Sequence, residues 1–221
     1  MERIGNQEKK YVNDILDNNL SYDIDKKYVN LFEKKFADTF NCKYGISAVN
    51  GTATMHAILE GMGIKDGDEV IVPALTMLST CLSVLQTNAL PVFADIDPDT
   101  FQISVESITK CITPRTKAIQ IVSLYGMPPE MDEIMELANK HNLYVIEDNA
   151  ECYLGYYKNK IVGSIGHASS FSLQNSKHLT SGEGGMILTN DINLAHNIRR
   201  FTILGYQSIG ELAPPNLTIQ D

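Results

Sequence analysis

One lysine, Lys177, stands in a run of small and hydroxylated residues, Ser170 to Gly185, that closes on Gly182-Glu-Gly-Gly185. It is either an ordinary surface loop lysine or an amine held for covalent chemistry, where a desolvated pocket must lower its pKa to free the nucleophile. Upstream, Glu147-Asp-Asn-Ala-Glu151 sets three acids in five residues at the end of an apolar run. A buried carboxylate at that position must pair with a cation or shift its pKa. The cation is a metal or a protonated heteroaromatic nitrogen; the plain alternative is a solvated helix cap. Hard metals need several oxygens, and no second acidic cluster accompanies this one. The third feature is Asn50-Gly51-Thr52. A strand-to-helix junction there offers backbone amides to an anion, or Thr52 simply caps a helix after a turn glycine. Neither the dinucleotide nor the P-loop fingerprint is met. Together, an anion cradle, a carboxylate for a ring nitrogen and an amine for a Schiff base are what pyridoxal 5'-phosphate asks of a protein.

These residues need elements to position them. Apolar spacing predicts an amphipathic helix over residues 6–18, broken by Asn18-Asn-Leu-Ser21, and a second over about Lys26 to Phe40. Beyond it the pattern alternates. Strands are predicted at Tyr44–Val49, Glu69–Val72, Leu90–Asp95, Lys117–Leu124, Leu143–Glu147 and His167–Leu173, with a further apolar run at Met186–Thr189. Helices are predicted at Thr52–Met62, Leu75–Thr87, Ser104–Cys111 and Met131–His141. Alternation of this kind predicts an α/β fold with a mainly parallel sheet covered on both faces, and continuous apolar strands such as Ala118–Val122 agree with it. Ligands of such sheets sit outside the carboxyl ends of the strands, where Asn50-Gly-Thr52, Asp148 and Lys177 converge.

Composition narrows the function classes. The 221 residues are 43% hydrophobic and 20% charged, with a net charge of −9. That balance opposes a nucleic-acid surface, and the absence of a basic run or an apolar span opposes a membrane role. The polar start, Met1 to Lys10, lacks the apolar core of a secretory signal. Cys42, Cys81, Cys111 and Cys152 are widely spaced and read as reduced, mostly buried thiols of a cytoplasmic protein.

The ordered set of motifs carries a resemblance. It comprises Phe32-Glu33, Asn50-Gly-Thr-Ala-Thr54, Gly67-Asp-Glu-Val-Ile-Val-Pro73, Pro91-Val-Phe-Ala-Asp-Ile-Asp97, Thr113-Pro-Arg-Thr-Lys-Ala118, Tyr125-Gly126, Glu147-Asp-Asn-Ala-Glu151, Phe171-Ser172, Lys177 and Gly182-Glu-Gly-Gly185. The chain resembles the DegT/DnrJ/EryC1/StrS family of pyridoxal-phosphate-dependent sugar aminotransferases, which have the aspartate aminotransferase (type I) fold, a three-layer α/β/α domain. The resemblance implies that Lys177 carries the cofactor as a Schiff base and shuttles the proton, and that Asp148 pairs with the pyridinium nitrogen. It implies that Gly51, Thr52 and Ala53, with Ser172, hold the phosphate. Met77 stands where the family often has an aromatic residue stacked on the ring, and Glu151, where many members have Gln, lies near the phenolic oxygen. Asn50 replaces the usual Ser.

It further implies transfer of an amino group from glutamate or glutamine to a keto-sugar, usually nucleotide-linked, by a homodimer. Residues 1–221 would be the cofactor-binding large domain, with a helical N-terminal segment at 1–42 and the C-terminal small domain missing. The loop Gln174-Asn-Ser-Lys177 resembles that of members acting on amino-cyclitol or kanosamine-type substrates. Two alternatives are a sugar dehydratase of the same family, in which His replaces the lysine, and a non-catalytic member that keeps the fold.

Overall fold

The computed structural model describes residues 4–205, apart from the side chains of residues 22–25. The stretch from Gly210 to Asp221, whose sequence shows no helix or strand pattern, lies outside the described residues. Seven strands form one sheet: β1 (Tyr44–Ala48), β2 (Glu69–Pro73), β3 (Leu90–Ala94), β4 (Thr116–Val122), β5 (Tyr144–Asp148), β8 (Ala168–Ser172) and β9 (Gly185–Thr189). Between β5 and β8 lies a small hairpin of β6 (Tyr156–Tyr157) and β7 (Lys160–Ile161), which sequence patterning did not anticipate. The sheet order is β1-β9-β8-β5-β4-β2-β3. Only β9 runs against its neighbours, so the other six strands end on one edge.

Helices cover both faces, giving the expected three layers. On one face lie α3 (Gly51–Gly61), α4 (Leu78–Gln86) and α7 (Ile192–Thr202). Buried Ile58, Val84 and Ile198 meet Ile46, Val72, Ala118 and Ile146 of the sheet there. Each of the Ile and Val side chains contributes about 1.5–3 kcal/mol relative to exposure. The other face carries α5 (Val105–Cys111) and α6 (Met131–His141) over Ile119, Ile121 and Val145. It also carries α2 (Tyr22–Thr39), whose Phe36, with Phe40 just beyond the helix, packs on Phe171. The helix α1 (Asn6–Asp17) lies before it and buries none of its residues. Two ion-paired clusters account for motif residues with no obvious chemistry. Glu33 of α2 takes a two-pronged bond from Arg199 of α7 and accepts from the Ser47 N–H and hydroxyl of β1. Glu69 of β2 holds Arg115 and Thr113, which precede β4.

Several expected boundaries move, each for a local reason. The helix expected from Leu75 starts at Leu78, because the Ala74 N–H still donates to Ala94 along the sheet and Met77 is extended. The strand expected to reach Leu124 stops at Val122. There Ser123 bonds the Asp148 carbonyl and the chain turns through a 3-10 turn at Leu124–Gly126. The second helix starts at Tyr22 rather than Lys26, after an extended Ser21, since lengthening a helix is cheap once it is nucleated.

Candidate active site

Strand alternation decides which acid of Glu147-Asp148 faces the site, because successive side chains point to opposite faces. Val145 and Glu147 face the α6 layer, whereas Ile146 and Asp148 face the α3 and α4 layer. The Glu147 carboxylate accepts from the N–H groups of Gly163, Ile165 and Gly166, so it staples the loop entering β8. Burial pushes its carboxyl up against the pull of these amides. It is a structural acid, and the cluster read from sequence is divided between the two sides of the sheet. Among the described residues no group of three His, Cys, Asp or Glu could hold a metal ion.

Asp148 ends β5 and is buried. One of its oxygens accepts from the Ala150 N–H (3.1 Å) and the other from the Thr80 hydroxyl of α4 (3.2 Å). A carboxylate has about four acceptor positions, so capacity remains for another donor. Burial pushes its pKa up to about 6, against the two hydrogen bonds and the pull of the Lys177 ammonium. Lys177, half-buried, lies beyond β8 in a loop tied by its own N–H to the Gln174 carbonyl, by Ser181 N–H to Leu173 and by Leu173 N–H to Gly184.

The next neighbour of Asp148 in the sheet register is Ser170 of β8, and Ser172 lies one alternation further on the same face. Both back against the first turn of α3. The Thr54 hydroxyl joins Ser170 and the Gly51 carbonyl. A Cβ added to Gly51 would lie 2.9 Å from the Ser172 Cβ, so only glycine lets α3 come this close. Asn50 caps the helix by accepting from the Ala53 N–H (2.8 Å). The Ala53 amide therefore already has an acceptor, whereas the Gly51 and Thr52 amides have no i−4 carbonyl within the helix.

Met77 is 75% exposed just before α4 on the same edge. Glu151, beyond β5, accepts from the N–H of Tyr125, a non-glycine residue in the left-handed region (φ 56°). All the sequence-predicted site residues thus lie at or just past the carboxyl edge. Sequence reasoning missed Thr80, whose hydroxyl one turn after Thr76 inside an apolar helix was the available signal. It also missed Tyr153, whose hydroxyl donates to the Ser172 carbonyl and whose ring lies 6.1 Å from that of His178.

The model of the DegT/DnrJ/EryC1/StrS aminotransferase family matches residues 2–212. The chain is 46% identical over 190 residues to GDP-perosamine synthase from Escherichia coli O157:H7, covering 85% of this chain and 51% of that protein. Among solved structures it is similar to the aminotransferase from Psychrobacter cryohalolentis, with a TM-score of 0.88 and 40% identity over 93% of this chain and 52% of that one. It is also similar to the E. coli GDP-4-keto-6-deoxy-D-mannose-3-dehydratase with bound hydrated PLP, with a TM-score of 0.80 and 31% identity over 89% of this chain and 51% of that one. The chain spans about half the length of the curated relatives it matches.

Proposed function

Because the chain belongs to the DegT/DnrJ/EryC1/StrS aminotransferase family, we propose that it holds the cofactor of a pyridoxal-phosphate-dependent aminotransferase whose acceptor is a nucleotide-linked keto-sugar. The observation that carries this reading is the buried carboxylate of Asp148 at the end of β5 under the pull of Lys177, which lies in the loop beyond the neighbouring parallel strand β8. The donor set fits pyridoxal phosphate. Asp148 retains acceptor capacity for a cationic ring nitrogen, and two helix amides with the Ser172 hydroxyl suit a phosphate dianion. When bound, that cofactor supplies an electron sink for the carbon bearing the amino group.

The chain's own residues do the rest. Lys177 offers its Nζ as the covalent tether and then as the base and acid that moves a proton at the reacting carbon. Asp148 holds a negative charge in a low-dielectric place, where it keeps a facing N–H protonated far better than an exposed acid could. Gly51, Thr52 and Ser172 anchor the phosphate end, and Ala53 contributes by fixing the Asn50 cap. Met77 would cover a ring bound at this edge through its polarisable sulfur. Glu151 would lie near the cofactor's phenolic oxygen, and it holds the Tyr125 turn.

Glutamate or glutamine donates the amine, and the product serves amino-sugar or polysaccharide biosynthesis in the cytoplasm. Residues 1–221 form the cofactor-binding large domain, with residues 1–42 as its helical start. Leu78, Leu82 and Leu85 form an exposed apolar stripe on α4, which supports a homodimer. No described helix is long and apolar enough to cross a membrane. The dehydratase alternative is disfavoured by Lys177, since an imidazole cannot form the covalent tether. The test is direct. The chain mixed with pyridoxal phosphate acquires the visible absorption of a lysine-linked cofactor, and borohydride fixes the cofactor's mass on the peptide containing Lys177. Lys177→Ala loses both. Failure of the natural chain to acquire either signal overturns the reading.

A further inference from the structure

The geometry points to Thr80 as a positioning residue: with Thr76 behind it, it forms a two-hydroxyl relay that fixes the Asp148 carboxylate and favours its ionised form. Thr80 is fully buried in α4, 68 positions away in sequence from Asp148. Its hydroxyl lies 3.2 Å from Asp148 Oδ2 and 2.7 Å from the hydroxyl of Thr76. A threonine hydroxyl has a single proton. While Asp148 is ionised, Thr80 gives that proton to the carboxylate, and Thr76 must donate to Thr80 in turn. The other carboxylate oxygen is held by the Ala150 N–H. Each oxygen thus has its own donor, which restrains the plane of the carboxylate and the direction of its remaining lone pairs.

The relay reaches the edge at a telling place. Thr76 immediately precedes Met77, the extended residue before α4. The hydroxyl chain therefore links the turn that bears the proposed ring-covering residue to the proposed ring-nitrogen partner. When Asp148 takes up a proton on Oδ2, that acid donates to Thr80 and the relay reverses direction. The relay is thus sensitive to the charge on Asp148 without itself carrying charge.

Burial opposes ionisation of Asp148 and is the largest influence on it. The counterweights are the Ala150 amide, Thr80 and the Lys177 ammonium, while Glu151 pushes in the same direction as burial. Tyr153, which also faces Asp148, is neutral over the working range because burial and that carboxylate raise its pKa. Of these groups, only Thr80 contributes a side chain from the helix layer. That the ionised carboxylate serves a cationic ring nitrogen rests on the function proposed above; the relay does not.

The decisive measurement is an NMR titration of the cofactor-free chain labelled with 13C at aspartate carboxyls, with the Asp148 signal identified by its loss in Asp148→Asn. Thr80→Val, nearly isosteric, should raise the Asp148 midpoint by about one pH unit, the size of one hydrogen bond to a charged group. Thr80→Ser keeps the hydroxyl and should leave the midpoint in place. Thr76→Val, at a half-buried position, should raise it by a smaller amount through loss of polarisation along the relay. A folded Thr80→Val chain with an unmoved midpoint overturns the inference, as does a Thr80→Ser shift as large as that of valine. Should Thr80→Val not fold, an unmoved midpoint in Thr76→Val overturns it equally. Because no cofactor is present, the outcome decides the relay whether or not the lysine-linked band forms.

Discussion

Asp148 shows how a single residue can be costly to the fold and useful to the site. Folding raises its pKa from the ordinary 3.8 to about 6, mainly through burial, so the folded chain binds that proton more tightly than the unfolded chain does. Stability from this group is therefore fully present below pH 3.8 and is lost as pH rises through about 6. The difference corresponds to about 3 kcal/mol. Asp148→Asn removes the buried charge while keeping the shape. The cofactor-free variant should unfold at higher temperature or urea concentration than the natural chain well above pH 6, with the gap closing towards pH 4. A gap independent of pH would mean that the carboxylate is ionised at little cost. The same variant should bind pyridoxal phosphate with a weakened grip on the ring nitrogen, the usual exchange of stability for a working site.

At the scale of elements, the site is a joint between α3 and β8. Gly51 touches Ser172, Thr54 touches Ser170, and Asn50 caps the helix whose first amides face the edge. Gly51→Ala puts a methyl 2.9 Å from the Ser172 Cβ, a contact to a strand that cannot rotate away. Overpacking of this kind costs about 1–3 kcal/mol. The variant should show a lowered melting temperature and a weakened, not abolished, affinity for pyridoxal phosphate, since Lys177 and Asp148 are untouched. Unchanged affinity by fluorescence titration would remove the α3 start from the phosphate site. Much of this joint was legible in the sequence. Lys177, Asp148 and Asn50-Gly-Thr52 each follow a predicted strand, and the carboxyl-edge rule brings them together. The side each acid faces was not legible, because it depends on the one-residue register of β5. Thr80 was hidden for a different reason: in an apolar helix it looks like a core threonine until its long-range partner is known. The helix α7 escaped notice although Asp191 caps it and Leu194, Ala195 and Ile198 carry its apolar spacing. The antiparallel course of β9 follows from a connection to β8 that contains no crossover helix.

For the whole molecule, the question is what the charge and the exposed apolar surface do together. A net charge of −9 favours solubility and self-repulsion, yet α4 displays Leu78, Leu82 and Leu85 at helical spacing on the solvent side. The edge strand β3, which α4 packs against, exposes Leu90 and Phe93 as well. Nothing in the core needs these side chains outside, and a clustered exposed apolar surface marks an association site. The stripe carries no acid or lysine from Leu78 to Leu85, so a second copy can approach it without burying charge. We therefore expect the chain to form dimers through α4. Leu82→Glu with Leu85→Glu sets two like charges in that face and should convert the dimer to a monomer in sedimentation equilibrium. Its melting temperature should stay nearly that of the natural chain once dimer stabilisation is allowed for, because both positions are exposed in the single subunit. Two outcomes would refute the expectation: a natural chain that sediments as a monomer, or a double variant that remains a dimer of equal strength. Because Thr80 and Met77 lie on or beside the same helix, the monomeric variant should also change the environment of Met77, read as a shift of its methyl resonance. That shift would connect assembly to the turn that stands over the proposed ring site.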